Sequence, residues 1–270
     1  MLVQNKTIVL TGAGNGMGRE LCLQLLKKGA RVAAIDLRSE ALEETRKLAA
    51  DISGKMSVHV LNISDRMAVE ALPTEIIKQH GAVDGLINNA GIIQPFVKIN
   101  QLDYAAIDRV MQVNFFGLLY MTKTFLPFLL KRPEAHIVNT SSMGGFLPVP
   151  GQSVYGASKA AVKLFTEGLR SELLDTGVKV TVVFPGAIGT QIAQNSGVAG
   201  TAEMEKQARN SSIKMLSPSE AATQIIRGME QNAYRVLVGS DAKFMDKLYR
   251  LNPRFAAEFI SKKMKALLSA

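Results

Sequence analysis

Residues 7–18, Thr-Ile-Val-Leu-Thr-Gly-Ala-Gly-Asn-Gly-Met-Gly, decide how the rest of the chain is read. The apolar run Thr7–Leu10 predicts a buried strand, Thr11–Gly18 a glycine-rich turn, and Met17–Lys28 a helix. Glycines in such a turn let the backbone bend sharply and approach a ligand where any Cβ would collide. The helix that follows offers unpaired N–H groups and the positive end of its dipole to a phosphate. A glycine-rich string alone says little. Here Asp36 closes the next strand, Arg31–Ile35, 18 positions after Gly18, close to the spacing of a ribose-binding carboxylate. The unit reads as a dinucleotide-binding β-α-β.

Outward from it, short strands alternate with helical patterns. Met56–Leu61, Val83–Ile87, His136–Asn139, Val178–Phe184 and Val236–Val238 are strand candidates. Glu40–Ala50, Arg66–Gln79, Tyr104–Leu130 and Val154–Asp175 read as helices. Uninterrupted apolar strands separated by helices predict a parallel sheet covered on both faces, an α/β doubly wound (Rossmann) fold in three layers. Ser217, Pro218 and Glu220 form a capping box that starts a further helix. With no internal repeat and no Pro- or Ser-rich linker, residues 1–270 read as one domain. Within it, a substrate lid is expected at about 187–217 and a C-terminal helical extension at about 239–270.

Composition excludes several classes. The 270 residues are 47% hydrophobic and 20% charged, with 22 Gly and 9 Pro, which rules out disordered, collagenous and low-complexity chains. One cysteine, Cys22, excludes a disulfide framework and a multi-cysteine cluster, and it is expected to pack as a small hydrophobe. His59, His80 and His136 lack metal-ligand spacing and are expected at the surface or in loops, so no metal is expected. The start lacks a signal-peptide pattern, and Val110–Leu130 is interrupted by Gln112, Asn114, Lys123 and Pro127. A soluble, cytoplasmic protein without a transmembrane segment is expected. The net charge of +9 raises nucleic acid, a membrane surface or an acidic partner. A solvated basic surface is the preferred reading, because no nucleic-acid-binding signature accompanies it.

Asp36 also bears on the cofactor. A carboxylate accepts hydrogen bonds from a free 2′-hydroxyl and repels a 2′-phosphate, so NAD(H) is favoured over NADP(H). Arg38, two residues on, keeps the second option open.

A second constellation is Ser153-Val-Tyr-Gly-Ala-Ser-Lys159. Tyr155 and Lys159 are four apart and share a helix face. A free phenol has a pKa of about 10, and a nearby ammonium together with an oxidised nicotinamide would lower it. Ser142, just past a strand, could hydrogen-bond a substrate oxygen beside Tyr155. A Tyr-x-x-x-Lys pair by itself is ordinary helix surface.

The motifs in order are TGAGNGMG, NNAG at Asn88–Gly91, VNF at Val113–Phe115, NTSS at Asn139–Ser142, YGASK, and PGAIGT at Pro185–Thr190. Together they resemble the short-chain dehydrogenase/reductase superfamily, in its single-domain branch. The resemblance implies that Tyr155 is the general acid/base, that Lys159 holds the nicotinamide ribose and lowers the Tyr155 pKa, and that Ser142 orients the substrate oxygen. It implies that Asn114 holds a water linking Lys159 to solvent. Gly12, Gly16 and Gly18 would line the pyrophosphate, with Asn15 and Met17 of the same turn and Leu37 beside Asp36 also in the cofactor site. Asn62 and Ile63 occupy the adenine position, where many relatives begin with Asp. Asn89, Ala90 and Gly91 would line the ribose side. Ile188 and Thr190, in one motif with Pro185 and Gly186, would contact the carboxamide. A homodimer or homotetramer is expected by the same analogy.

The chain departs from ketoacyl-reducing relatives in its tail. Lys243 to Ala270 carries seven Lys and Arg against Asp246 and Glu258, a net +5. Ala256, Phe259, Ile260, Met264 and Leu267 fall on one helical face, away from Lys262 and Lys265. Packing or a subunit interface is the preferred reading, ahead of a cover for an apolar pocket and a membrane-surface contact. In the lid, Ile192, Val198, Met204, Ile213, Met215 and Leu216 suit an adaptable apolar site or plain packing, and Arg209 reads as solvated.

The expected activity is interconversion of a secondary alcohol and a ketone with NAD(H), on a mainly apolar lipid-, steroid- or acyl-like small molecule. One alternative is an NADP(H)-dependent 3-ketoacyl or carbonyl reductase, including one that serves an acidic carrier protein. Another, from a different class, is a non-catalytic dinucleotide sensor.

Overall fold

The computed structural model describes residues 1–198 and 215–264. Seven strands form one parallel sheet in the order β3-β2-β1-β4-β5-β6-β7. They are β1 (Thr7–Thr11), β2 (Arg31–Asp36), β3 (Met56–Val60), β4 (Gly85–Asn88), β5 (Ala135–Thr140), β6 (Val178–Pro185) and β7 (Arg235–Val238). The helices are α1 (Gly16–Lys27), α2 (Ser39–Ala49), α3 (Arg66–His80), α4 (Tyr104–Met111), α5 (Leu118–Leu129), α6 (Ser153–Glu172), α7 (Ile192–Asn195), α8 (Pro218–Glu230), α9 (Ser240–Leu251) and α10 (Pro253–Met264).

Side chains alternate across a strand, and that period sorts β1 between two cores. Ile8 and Leu10 join Leu21 and Leu25 of α1 and Ile225 and Met229 of α8. Val9 joins Leu72 and Ile76 of α3, Phe125 of α5 and Leu169 of α6. Neither face of the strand meets water, so it is apolar without a break. The result is three layers. Burial of a side chain such as Phe125 or Leu25 is worth about 1.5–3 kcal/mol. Cys22 packs in the first core with Sγ 3.9 Å from Met56 Sδ, and burial pushes its thiol up to about 12.

Three expectations need revision. The helix read over Tyr104–Leu130 is interrupted by a π-type turn, Gln112–Gly117, between α4 and α5. That wider turn carries Asn114, which is fully buried. His59 and His136 are not surface residues. His136 stands in β5 with its Nε2 2.8 Å from Thr181 Oγ1, and burial drives its imidazole down to about 3. His59, in β3, sits 2.7 Å from Ser57 Oγ through Nε2 and 3.1 Å from Glu75 through Nδ1.

The capping box forms as expected. Ser217 Oγ accepts the Glu220 N–H at 3.2 Å, and the Glu220 carboxylate accepts from Ser217 N at 3.3 Å. In the tail, Ala256 and Ile260 are buried with Leu147 and Met245, and Phe259 and Met264 pack against them. The apolar stripe therefore lies against the segment that follows Ser142. Lys265 and Leu267, like Met204, Arg209 and Ile213 of the lid, lie outside the described residues. No helix among the described residues is long and apolar enough to cross a membrane.

Candidate active site

The strand order reverses between β1 and β4, and the crevice past their C-terminal ends is where open α/β sheets bind ligands. Thr11, the last residue of β1, closes the bottom of this crevice. Its Oγ1 accepts the backbone N–H groups of Asn89 (3.0 Å) and Ala90 (3.1 Å), and its carbonyl accepts from Asn89 Nδ2 at 3.2 Å. The glycine-rich turn then enters α1, capped by Asn15, whose Oδ1 accepts Gly16 N–H at 2.6 Å. Gly12 has φ +70°, a conformation side chains rarely adopt, and a Cβ there would stand 2.9 Å from Ala90 Cα. A Cβ on Gly18 would overlap the Gly12 carbonyl oxygen, so only glycine lets α1 come this close to the turn.

Gly12, Asn15, Gly16, Met17, Gly18, Asp36, Leu37, Asn62, Ile63, Asn89, Ala90, Gly91 and Thr190 all line this one cleft. Asp36 stands at its outer end. Its Oδ2 accepts Gly14 N–H at 2.9 Å and its Oδ1 accepts Arg38 N–H at 3.1 Å. Pro185, Gly186 and Ile188 are placed behind the cleft wall. Pro185 ends β6, a Cβ on Gly186 would overlap the Asp241 carboxylate, and Ile188 pairs with Leu216 and packs on the first core. Asp241 also accepts Ala187 N–H at 2.6 Å, so the Pro-Gly turn is shaped by a residue of α9.

The four expected catalytic residues come together beside the cleft, which Asn114 and Lys159 adjoin at Gly91. Ser142 follows β5; its Oγ accepts Gly144 N–H at 3.1 Å and lies beside the Tyr155 ring, a Cβ on Gly144 standing 3.5 Å from each. Tyr155 and Lys159 lie one turn apart on α6. Lys159 Nζ donates to the Thr140 carbonyl at 3.0 Å and stands 6.0 Å from the centre of the Tyr155 ring. Asn114 Oδ1 accepts Ile92 N–H at 2.8 Å, while its Nδ2 donates to the Ile92 carbonyl (2.9 Å) and to Ser158 Oγ (3.0 Å). A Cβ on Gly91 would reach both Lys159 Nζ (3.1 Å) and Asn114 Oδ1 (3.3 Å). The NNAG loop, the π-type turn and α6 therefore meet at one point.

Burial raises the Tyr155 phenol above its ordinary value, and Ser142 beside it only partly opposes the rise. The Lys159 ammonium is pushed down to about 8 by burial.

Two buried residues that carry no motif complete the site. Gln94 Oε1 accepts the N–H groups of Val154 and Tyr155, each at 2.9 Å, and its Nε2 donates to the Gly151 carbonyl at 3.1 Å. Gln152 Nε2 donates back to the Gln94 carbonyl at 2.8 Å. Asn195 and Ile192 of α7 line the cleft opposite Asp36. No local sequence signal marks Gln94 or Asn195, since their partners are distant in the chain.

A dinucleotide fits these residues. The left-handed Gly12 and the capped start of α1 suit a pyrophosphate. Asn89 Oδ1 in the cleft wall and Thr140 Oγ1 beside Lys159 are buried without a hydrogen-bond partner among the described residues. A family profile described as short chain dehydrogenase matches residues 6–199. The chain belongs to the short-chain dehydrogenases.

As a short-chain dehydrogenase it is an oxidoreductase that acts on CH–OH groups with a nicotinamide dinucleotide. It is 38% identical over 252 residues to "Putative oxidoreductase SadH" of Mycobacterium tuberculosis, covering 92% of this chain and 91% of that one. It is 34% identical over 196 residues to the 3-oxoacyl-[acyl-carrier-protein] reductase FabG of Thermotoga maritima, covering 72% and 78%. Among solved structures, a Burkholderia cenocepacia short chain dehydrogenase in complex with NADP superposes with TM-score 0.80 at 26% identity, over 96% of this chain and 99% of that one. A Burkholderia phymatum homologue in complex with NAD, 23% identical, shares the fold with TM-score 0.84 over 94% and 96%.

Proposed function

We propose that this short-chain dehydrogenase interconverts a secondary alcohol and a ketone on a mainly apolar small molecule, using NAD(H), with Tyr155 as general acid/base. The placing of Ser142 Oγ beside the Tyr155 ring at Gly144, with Lys159 one helical turn on, carries this reading. When bound, the nicotinamide supplies the carbon that gives or accepts hydride. In the reducing direction the Tyr155 hydroxyl gives its proton to the carbonyl oxygen, while Ser142 holds that oxygen by a hydrogen bond. In the oxidising direction Tyr155 accepts the alcohol proton. Lys159 is buried and its ammonium is destabilised, so it is suited to pass a proton on as well as to hold the ribose. Asn114, beside Gly91 and Lys159, belongs to the route by which that proton reaches solvent.

NAD(H) is preferred because Asp36 lines the cleft as an acceptor for ribose hydroxyls and repels a 2′-phosphate. An apolar substrate suits Met143 and Phe146, which follow Ser142 and pack on the third core with the tail helices. We assign the protein to the cytoplasm as a homodimer or homotetramer of one-domain chains, with residues 187–217 as substrate lid.

The second reading, an NADP(H)-dependent 3-ketoacyl or carbonyl reductase, is favoured by Arg38 in the cleft lining and by the likeness to FabG. Titration with NADH and NADPH, followed by nicotinamide fluorescence, separates the two. Tighter NADH supports the first and tighter NADPH the second. Binding of both without turnover of any alcohol or ketone would favour a dinucleotide sensor. Tyr155→Phe should abolish turnover of a lipophilic secondary alcohol and keep NADH binding. Unchanged turnover would sink the catalytic assignment.

A further inference from the structure

The cleft carries a cross-strap at its outer end. Residues 191–196 run over it and are tied to both walls. On one side Asn15 Nδ2 donates to Gln191 Oε1 at 3.3 Å, and Arg38 Nη1 donates to Asn195 Oδ1 at 2.9 Å. On the other side Ser196 Oγ accepts Ile93 N–H at 3.0 Å, and Arg109 Nη2 donates to the Ser196 carbonyl at 3.0 Å. Ser196 Oγ also donates back to the Ile192 carbonyl at 2.6 Å, closing the short helix between the two sides. Asn195 is thus held by its neighbours in a place set independently of Arg38.

Arg38 is the residue this arrangement constrains. Among the described residues, Asp36 and Arg38 are the charged side chains lining the cleft, and they neighbour each other. The guanidinium Nε lies 4.0 Å from Asp36 Oδ1 while Nη1 is turned to Asn195. A guanidinium binds a phosphate best as a two-pronged fork, which requires its N–H edge to be free and facing the anion. Here one prong is committed to an amide oxygen across the cleft.

We propose that Asn195 is a specificity-determining residue, which disfavours a 2′-phosphate by holding Arg38 across the strap. This rests on the cleft being the dinucleotide site, and it deepens the NAD(H) preference assigned above. Asp36 alone accounts for the welcome given to a ribose diol. The Asn195–Arg38 bond accounts for why an arginine two residues away does not cancel it. An NADP-type ligand has to break that bond before Arg38 can turn to its phosphate, and an NAD-type ligand does not.

The test is the ratio of NADPH to NADH dissociation constants, measured by fluorescence titration of the full chain. Asn195→Ala should tighten NADPH by about three- to tenfold, the size expected for the net effect of one solvent-exposed hydrogen bond. NADH should change less than about twofold. Asn195→Asp should act in the opposite sense, since a carboxylate holds the guanidinium harder. Arg38→Ala added to Asn195→Ala should erase the gain. The proposal is overturned if Asn195→Ala shifts both dinucleotides equally, or if the gain survives loss of Arg38. If the unaltered protein already prefers NADPH, the NAD(H) assignment fails, and the change in ratio on substitution still tests Asn195 by itself.

Discussion

Gln94 Oε1 accepts the backbone N–H of Tyr155 at 2.9 Å and that of Val154 at the same distance, so the first turn of α6 is capped from a different segment. Gln152, the residue before α6, makes no side-chain cap of its own. Helix starts leave N–H groups unpaired, and burial without a partner is costly. Gln94 is three residues past Gly91, so a single short segment lines the cleft and caps the helix start at Tyr155.

Replacement of Gln94 by Leu should leave two buried N–H groups unpaired and destabilise the protein by about 1–3 kcal/mol. Tyr155 would lose its orientation, and kcat should fall by about tenfold or more with little change in NADH affinity. Gln94→Glu keeps the acceptor for the two N–H groups but turns its second oxygen on the Gly151 carbonyl, so it should recover only part of the stability. It should also move the tyrosine limb of the kcat profile to higher pH, because a nearby negative charge disfavours the phenolate. An unshifted profile in Gln94→Glu would reduce Gln94 to a packing role.

Lys159 gives a pH dependence in the alkaline range. Its folded value is about 8 against an ordinary 10.5, so between these values the unfolded chain binds the proton that the folded chain has released. Stability contributed by this group therefore rises as pH increases from 8. Tyr155, shifted upward, acts the other way only above its ordinary value of 10.0. Urea unfolding at pH 8 and pH 10 should show the parent protein gaining stability relative to Lys159→Met. A constant difference between the two would contradict the burial-driven shift.

His136 sets the acid side. Its folded value is about 3 against 6.5, so the unfolded chain takes up a proton that the folded chain refuses between those limits. Stability is lost as pH falls from 6.5 toward 3. His136→Gln removes the titrating group, and its unfolding free energy should fall less steeply over pH 6.5 to 4 than that of the parent. Equal slopes would show that other groups govern acid unfolding.

Gly18→Ala places a methyl group on the Gly12 carbonyl oxygen and forces α1 away from the turn. Overpacking of this kind costs about 1–3 kcal/mol. NADH affinity should drop by about tenfold or more as the helix start moves off the phosphate site. Gly54→Ala serves as the control, because a Cβ there meets nothing within 4 Å. Melting temperature and NADH titration of the two variants should separate clearly.

Much of this protein was determined by contiguous sequence. The apolar runs Thr7–Leu10 and Val178–Phe184, the glycine-rich turn, the Ser217 capping box and the Tyr155–Lys159 spacing depend on residues within a turn or two of each other. Periodicity of 2 or 3.6 exposes such features before any folding is considered. The ordering of strands that puts β1 beside β4, and hence the cleft between Thr11 and Asn89, needed the tertiary structure. So did the π-type turn that buries Asn114, inside what reads as one continuous helix. His136 reads as an exposed polar residue, yet it lies in the core with its Nε2 against Thr181, 45 residues away. Gln94 meets Tyr155 across 61 residues and Arg38 meets Asn195 across 157. Hydrogen bonds between distant segments leave no period in the sequence, because their partners are chosen by the path of the chain. Local pattern therefore marked where the chemistry sits, and the packing of remote segments decided how its tyrosine is aimed and its arginine held.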